Sequence, residues 1–200
     1  MDDQASELID IAYELSGGML PGRYAFALWD GLVRALPWLA TEEEAGVLPL
    51  RGTVSGEQMV LARRAKLVLR LPAGKERQAL QLAGQTLDIG GYALAVGAAQ
   101  SKPLRAHPSL HAHLVVGADD EAEFLAQVER QLGKLGIPCK WICGKRTALQ
   151  DGPRRITGYS LVVYELSPAD SLRLQQWGLG EERRYGCGLF VPCKDIPDFK

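Results

Sequence analysis

The stretch Ser167–Pro192, SPADSLRLQQWGLGEERRYGCGLFVP, reads as a helix start, a helix stop and a strand in succession. Ser167 suits a cap, Pro168 suits the first turn, where its missing N–H is no loss, and Asp170 stands three residues past the cap. Gly178 ends the helix, and GLFVP closes the stretch as a strand. Between the helix and the strand lie four glycines, Gly178, Gly180, Gly186 and Gly188, with Arg183 and Arg184 inside the interval.

Working back from this end, RRITGYSLVVYEL (154–166) and KWICGKRTAL (140–149) predict a strand pair around Asp151-Gly152-Pro153. A helix precedes them, capped by Asp119 or Asp120, with Phe124, Val128, Leu132 and Leu135 on one face. SLHAHLVVGA (109–118) is a strand before it. The order is strand, helix, strand, strand, helix, strand. The same order is expected in the first half. Ser6–Leu15 reads as a strand, with a helix as the alternative, broken by Ser16-Gly17-Gly18. Residues 22–36 place Ala25, Leu28, Trp29, Leu32 and Leu36 at helical spacing before Pro37. Strands at 46–55 and 58–72, a short helix over 73–84 closed by Gly84, and a strand over 85–99 with a bulge or turn at Gly90-Gly91 complete it. Two βαββαβ units predict an α+β protein of two tandem ferredoxin-like (RRM-like) domains, 1–100 and 110–200, joined by a linker at 101–109.

Bulk properties narrow the class. A chain of 200 residues that is 46% hydrophobic can build real cores. No apolar run reaches a membrane span, and MDDQASEL is too acidic for a secretory leader, so a soluble cytoplasmic protein with no membrane partner is expected. The first hundred residues carry a net charge of −3 and the second hundred +2. Cys139, Cys143, Cys187 and Cys193 form no C-x-x-C pair, so reduced thiols and no metal site are expected. G-x-S-x-G, H-E-x-x-H and the phosphate-binding G-x4-G-K-[ST] are absent from the sequence, so neither acyl nor metal-dependent chemistry finds support, and no cofactor is expected.

The glycines admit two readings. One is a helix cap followed by a tight turn, which accounts for Gly178. The other is a glycine-rich nest whose open N–H groups bind an anion, with Arg183 and Arg184 supplying guanidiniums for phosphate. The spacing Gly-hydrophobic-Gly, five residues with a basic residue among them, then Gly-hydrophobic-Gly is similar to the C-terminal motif of the CRISPR-associated endoribonucleases that cut precursor CRISPR RNA within its repeats. These belong to the repeat-associated RNA-binding superfamily. Val47–Gly52, Leu69–Pro72, Leu82–Leu87 and Ser171–Pro192 resemble further family stretches, most closely those of the myxobacterial subtype.

The resemblance implies two ferredoxin-like domains and metal-independent cleavage of repeat RNA. The ribose 2′-OH attacks the adjacent phosphate and leaves a 2′,3′-cyclic phosphate. It also implies guide RNA and effector-complex subunits as partners. Such chemistry needs a base, an acid and positive charge for the phosphorane. The subtype carries a histidine near the start of the first helix; this chain has Leu20-Pro21-Gly22-Arg23-Tyr24 there, with Tyr24 in its place. The candidates are therefore Arg23 with Tyr24, or His111 and His113, which stand two apart and share a strand face. A third reading is a subunit that binds repeat RNA without cutting it. Lys140, Lys145, Arg146, Arg154 and Arg155 are expected to form a basic finger on the RNA, with Arg51, Arg63, Arg64 and Lys66 a second patch. Trp141, Trp177 and Tyr185 are candidates to stack on bases, although both tryptophans suit core positions.

Overall fold

The computed structural model describes residues 7–16 and 18–193. Ser6, where the first strand was expected to begin, and Gly17 of the expected break lie outside the described residues. The chain divides into two compact units. Among the described residues, unit 1 comprises those up to 103 with 183–185, and unit 2 comprises 104–182 with 186–193.

Unit 1 is built on β1 (Leu8–Ser16), β3 (Gly46–Val47), β6 (Lys66–Pro72), β7 (Thr86–Ile89) and β8 (Tyr92–Pro103). They form an antiparallel sheet in the order β3-β6-β1-β8-β7. Its first four strands have the ferredoxin-like arrangement. α1 (Tyr24–Ala35) and the short α2 (Glu76–Ala79) complete the unit. Alternation along β1 puts Ile9, Ile11 and Tyr13 in the core with Leu28 and Leu32 of α1 and Leu67, Leu69 and Leu71 of β6. On the opposite face, Asp10 and Arg70 stand directly across from one another. Arg70 is fully buried and donates to both Asp10 oxygens, at 2.7 and 2.9 Å. A two-pronged pair of this kind satisfies a charge that would otherwise be costly to bury.

A second small sheet, β2-β5-β4, is added by β2 (Met19–Pro21), β4 (Gly52–Ser55) and β5 (Gln58–Leu61). The two strands expected over 46–55 and 58–72 are thus four. Pro49 lies in the first gap. In the second gap the Ala62 N–H donates across the hairpin to the Arg51 carbonyl, and a turn then carries the chain away, with Ala65 N–H donating to Ala62 O. The expected helix over 73–84 is α-helical only over Glu76–Ala79, with 3-10 turns on both sides. Gly90-Gly91 is a turn between β7 and β8, both residues at positive φ. β8 runs through Pro103, so the first three residues expected as linker belong to a strand.

Unit 2 contains β9 (Leu110–Val116), α3 (Glu121–Leu135), β10 (Lys140–Asp151), β11 (Arg154–Tyr164), α4 (Pro168–Trp177) and β12 (Phe190–Pro192). The sheet order β10-β11-β9-β12 repeats the ferredoxin-like arrangement. Asp120 caps α3 by accepting from Glu123 N–H at 2.9 Å, and Ser167 caps α4 by accepting from Asp170 N–H at 3.2 Å. Phe124, Val128 and Leu132 pack on Leu110, Ala112, Leu161 and Val163. The fold is the tandem ferredoxin-like one that the sequence pattern predicts. Among the described residues, no helix is long and apolar enough to cross a membrane.

Candidate functional site

Helix α1 starts without a side-chain cap and without an acid in its first turn. The chain reaches it over Pro21 and Gly22, whose N–H donates to the Glu57 carbonyl at 2.7 Å. A Cβ on Gly22 would stand 3.2 Å from the Glu57 backbone, so a larger residue would crowd this approach. Arg23 is exposed. Tyr24 packs against the core, and its hydroxyl oxygen accepts the Leu50 N–H at 2.8 Å. Burial raises the Tyr24 phenol above its ordinary pKa, partly offset by that hydrogen bond. At neutral pH Tyr24 is a proton holder and not a base.

The amides of the glycine-rich segment are engaged within unit 2. Gly178 N–H donates to Leu174 O at 2.8 Å, and Leu179 N–H to Gly188 O at 3.3 Å. Gly180 N–H donates to the Gln131 side chain at 2.9 Å, Cys187 N–H to Glu182 O at 3.3 Å, and Gly188 N–H to Leu114 O at 2.7 Å. The amides of Gly178, Gly180 and Gly188 are therefore spent within the protein, which removes them from an anion nest. Gly188 shows why the motif needs glycine: its φ is +66°, and a Cβ would lie 2.1 Å from Leu179 O. Gly186, also at positive φ, is buried. Between the glycine pairs, Arg183–Tyr185 forms a 3-10 turn grouped with unit 1. The Tyr185 ring meets Phe26 of α1 at 4.6 Å. Arg183 is half-buried, and its guanidinium is pulled down to about 10, first by burial and then by the repulsion of Arg70, with Glu44 opposing. Arg184 is exposed.

In unit 2, Leu110 and Ala112 of β9 face the core, which leaves His111 and His113 on the other face. His111 is half-buried between its cross-strand neighbours Val162 and Val191. That apolar setting, then the neighbouring His113, lower its pKa, so it is a neutral imidazole at pH 7. His113 is exposed.

β10 and β11 form the expected basic hairpin arm. Arg154 and Arg155 are exposed beside its turn, and Lys145 is exposed midway along β10. Two of its cations are held in ion pairs: Lys140 meets Glu165 at 2.7 Å, and Arg146 pairs with Asp119, which also accepts from Thr157. Asp119 thus serves the arm, while Asp120 caps the helix; in the sequence either could have been the cap. In unit 1 the Ala62–Arg51 hydrogen bond brings exposed Arg51 beside exposed Arg63 and Arg64 at the base of the β4–β5 hairpin. Trp141 is packed at the edge of the unit 2 core, whereas Trp177 is 45% exposed. Among the described residues no three His, Cys, Asp or Glu side chains gather as a metal site. Sequence reasoning missed the Phe26–Tyr185 contact, because aromatic residues so far apart in the chain give no local signal.

A sequence model described as Cas6 Crispr matches residues 9–195. The chain belongs to the Cas6 family. It is 34% identical, over 186 residues, to the CRISPR-associated endonuclease Cas6 of Myxococcus xanthus, covering 92% of this chain and 81% of that protein. Among solved structures it resembles a CRISPR-associated protein Cas6 with a TM-score of 0.67 at 11% identity, covering 94% of this chain and all of the other. It also resembles the CRISPR endoribonuclease Cse3 bound to a 19-nucleotide RNA, with a TM-score of 0.55 at 16% identity over 93% of this chain and 98% of the other. At such identities these two likenesses speak for the fold alone.

Proposed function

We propose that this protein cleaves precursor CRISPR RNA within its repeats, without a metal, by attack of a ribose 2′-OH that leaves a 2′,3′-cyclic phosphate. The observation that carries the reading is the 34% identity to a Cas6 endonuclease across nearly the whole chain. Unit 1 offers Arg23, a permanent cation at the open start of α1, and the protonated Tyr24 phenol. Unit 2 offers His111, whose neutral ring can take a proton at pH 7, and the exposed His113. RNA binding falls to Lys145, Arg154 and Arg155 of the arm, with Lys140 and Arg146 exchanging carboxylate for phosphate, and to Arg51, Arg63, Arg64 and Arg184. In this reading Gly178, Gly180, Gly186 and Gly188 serve RNA by shaping the turn that presents Arg184, with Arg183 beneath it adding positive charge. Guide RNA and effector-complex subunits are the partners, in the cytoplasm.

The test uses the repeat RNA of the protein's own array with purified protein in EDTA, resolved on a denaturing gel. One cut is expected, blocked by a 2′-deoxy substitution at the scissile nucleotide and weakened in Arg23→Ala or in the His111→Ala, His113→Ala double variant. One observation favours a second reading, a subunit that binds repeats without cutting: Tyr24 stands where the resembled subtype has histidine, and its hydroxyl is engaged by Leu50. Tight, salt-sensitive binding with no cut would establish that reading instead.

A further inference from the structure

The two ends of α1 are fixed by different means. Towards its C-terminus, Gly31 lets the helix approach β7 so closely that a Cβ would stand 2.8 Å from Ile89 Cδ1. Arg34 adds a hydrogen bond to Asp88 O at 2.6 Å. The first turn has no cap. Among its fixings are the Tyr24 hydroxyl on Leu50 and the side chain of Phe26, which is 2% exposed. The Phe26 ring lies 4.6 Å from the Tyr185 ring at 53°, within the range of a favourable tilted aromatic pair. The Arg184 guanidinium stands 6.0 Å from the same Tyr185 ring. The Tyr185 ring therefore packs on Phe26 in the turn that follows Arg23, with the exposed Arg184 guanidinium at the outer range of a cation–π approach.

We propose that Tyr185 is a positioning residue for the first turn of α1, acting through Phe26, and that its ring also orients Arg184. For its catalytic consequence this rests on the cleavage reading above. In a helix whose first amides lack a cap, packing is what remains to hold the turn in register. A turn that carries reacting groups loses rate steeply when it is displaced, even though substrate still binds. Both contacts are made by the ring, which phenylalanine retains.

The test compares wild type, Tyr185→Ala and Tyr185→Phe in the full chain by two measurements. Hydrogen exchange reads α1 at amides 27–30 against amides 33–35, and single-turnover cleavage of repeat RNA is followed over a range of protein concentrations. Tyr185→Ala is expected to speed exchange at 27–30 about tenfold more than at 33–35. It should lower the cleavage rate at saturation about tenfold, with less than about a threefold change in half-saturating concentration. Tyr185→Phe should restore both. Unchanged exchange at 27–30, an equal rise throughout the chain, or a loss confined to RNA affinity would overturn the proposal. If wild type does not cut, the cleavage reading fails by itself, and the exchange comparison decides the positioning role.

Discussion

Helices α1 and α3 open their respective units in opposite ways. α3 begins with Asp120 as a cap and with Glu121 and Glu123 in its first turn, which satisfy amides and oppose the positive end of the helix dipole. α1 begins with Arg23, no cap and no acid. Elements with the same place in the same fold are thus built for different ends. The start of α3 is optimised for local stability. The start of α1 gives up that local stabilisation and relies on distant contacts, Leu50 and Tyr185, to hold an exposed cation. In the proposed cleavage reaction, that open end is where Arg23 would meet the phosphate.

The largest effect is expected at Arg23. Arg23→Ala is expected to lower the saturating cleavage rate about 100-fold, equivalent to ~2.7 kcal/mol, the scale of losing one charge-stabilising group. Urea denaturation of the same variant should show stability within about 0.5 kcal/mol of wild type, because the side chain is exposed. A loss of stability with no loss of rate would show that Arg23 serves the fold and not the reaction.

Next is Tyr24→Phe. Leu50 is 7% exposed, and its N–H would lose its acceptor. Stability should fall by about 1–3 kcal/mol, the cost of a buried donor left unmade, as read from the denaturation midpoint. An unchanged midpoint would show that the anchor is dispensable.

Asp120→Ala and Ser167→Ala should each cost ~1 kcal/mol, the usual value of a helix cap. Both should leave the saturating cleavage rate unchanged. If either slowed cleavage as Arg23→Ala does, helix starts in the two units would not differ in role.

The smallest effect concerns pH. The folded-state pKa of His111 is lowered, so the unfolded chain binds more protons as pH falls below the ordinary histidine value. Stability should therefore be full above that value and should decline as pH drops through it, levelling off below the folded pKa. His111→Gln should flatten this shallow slope in denaturation curves taken at successive pH values. An identical slope in the variant would remove the desolvated imidazole from the account.

Particular elements show how far reading the sequence could go. The capped starts of α3 and α4 were legible because Asp120 and Ser167 bond amides three residues away. The β10–β11 hairpin was legible because its turn residues lie between two strand patterns. The division of 46–72 into four strands was not, because β5 pairs with β4 and with β2, in a sheet separate from the main one. The basic arm was legible as a set of cations. That Arg146 is held by Asp119 was not, since the partner lies on the loop before α3.

The glycine motif divides the two kinds of information most clearly. By itself the sequence determined that four glycines flank a five-residue interval, and hence that the backbone there adopts conformations or contacts closed to other residues. It also determined the caps, the periodicities and the order of elements, because these depend on residues within a few positions of one another. Only the tertiary structure decided where the freed amides go: Gly180 to Gln131, Gly188 to Leu114. It likewise decided that Tyr24 answers to Leu50 and Tyr185 to Phe26. Such pairings cross long stretches of chain, and their formation is set by strand register and core packing together, which no local pattern encodes.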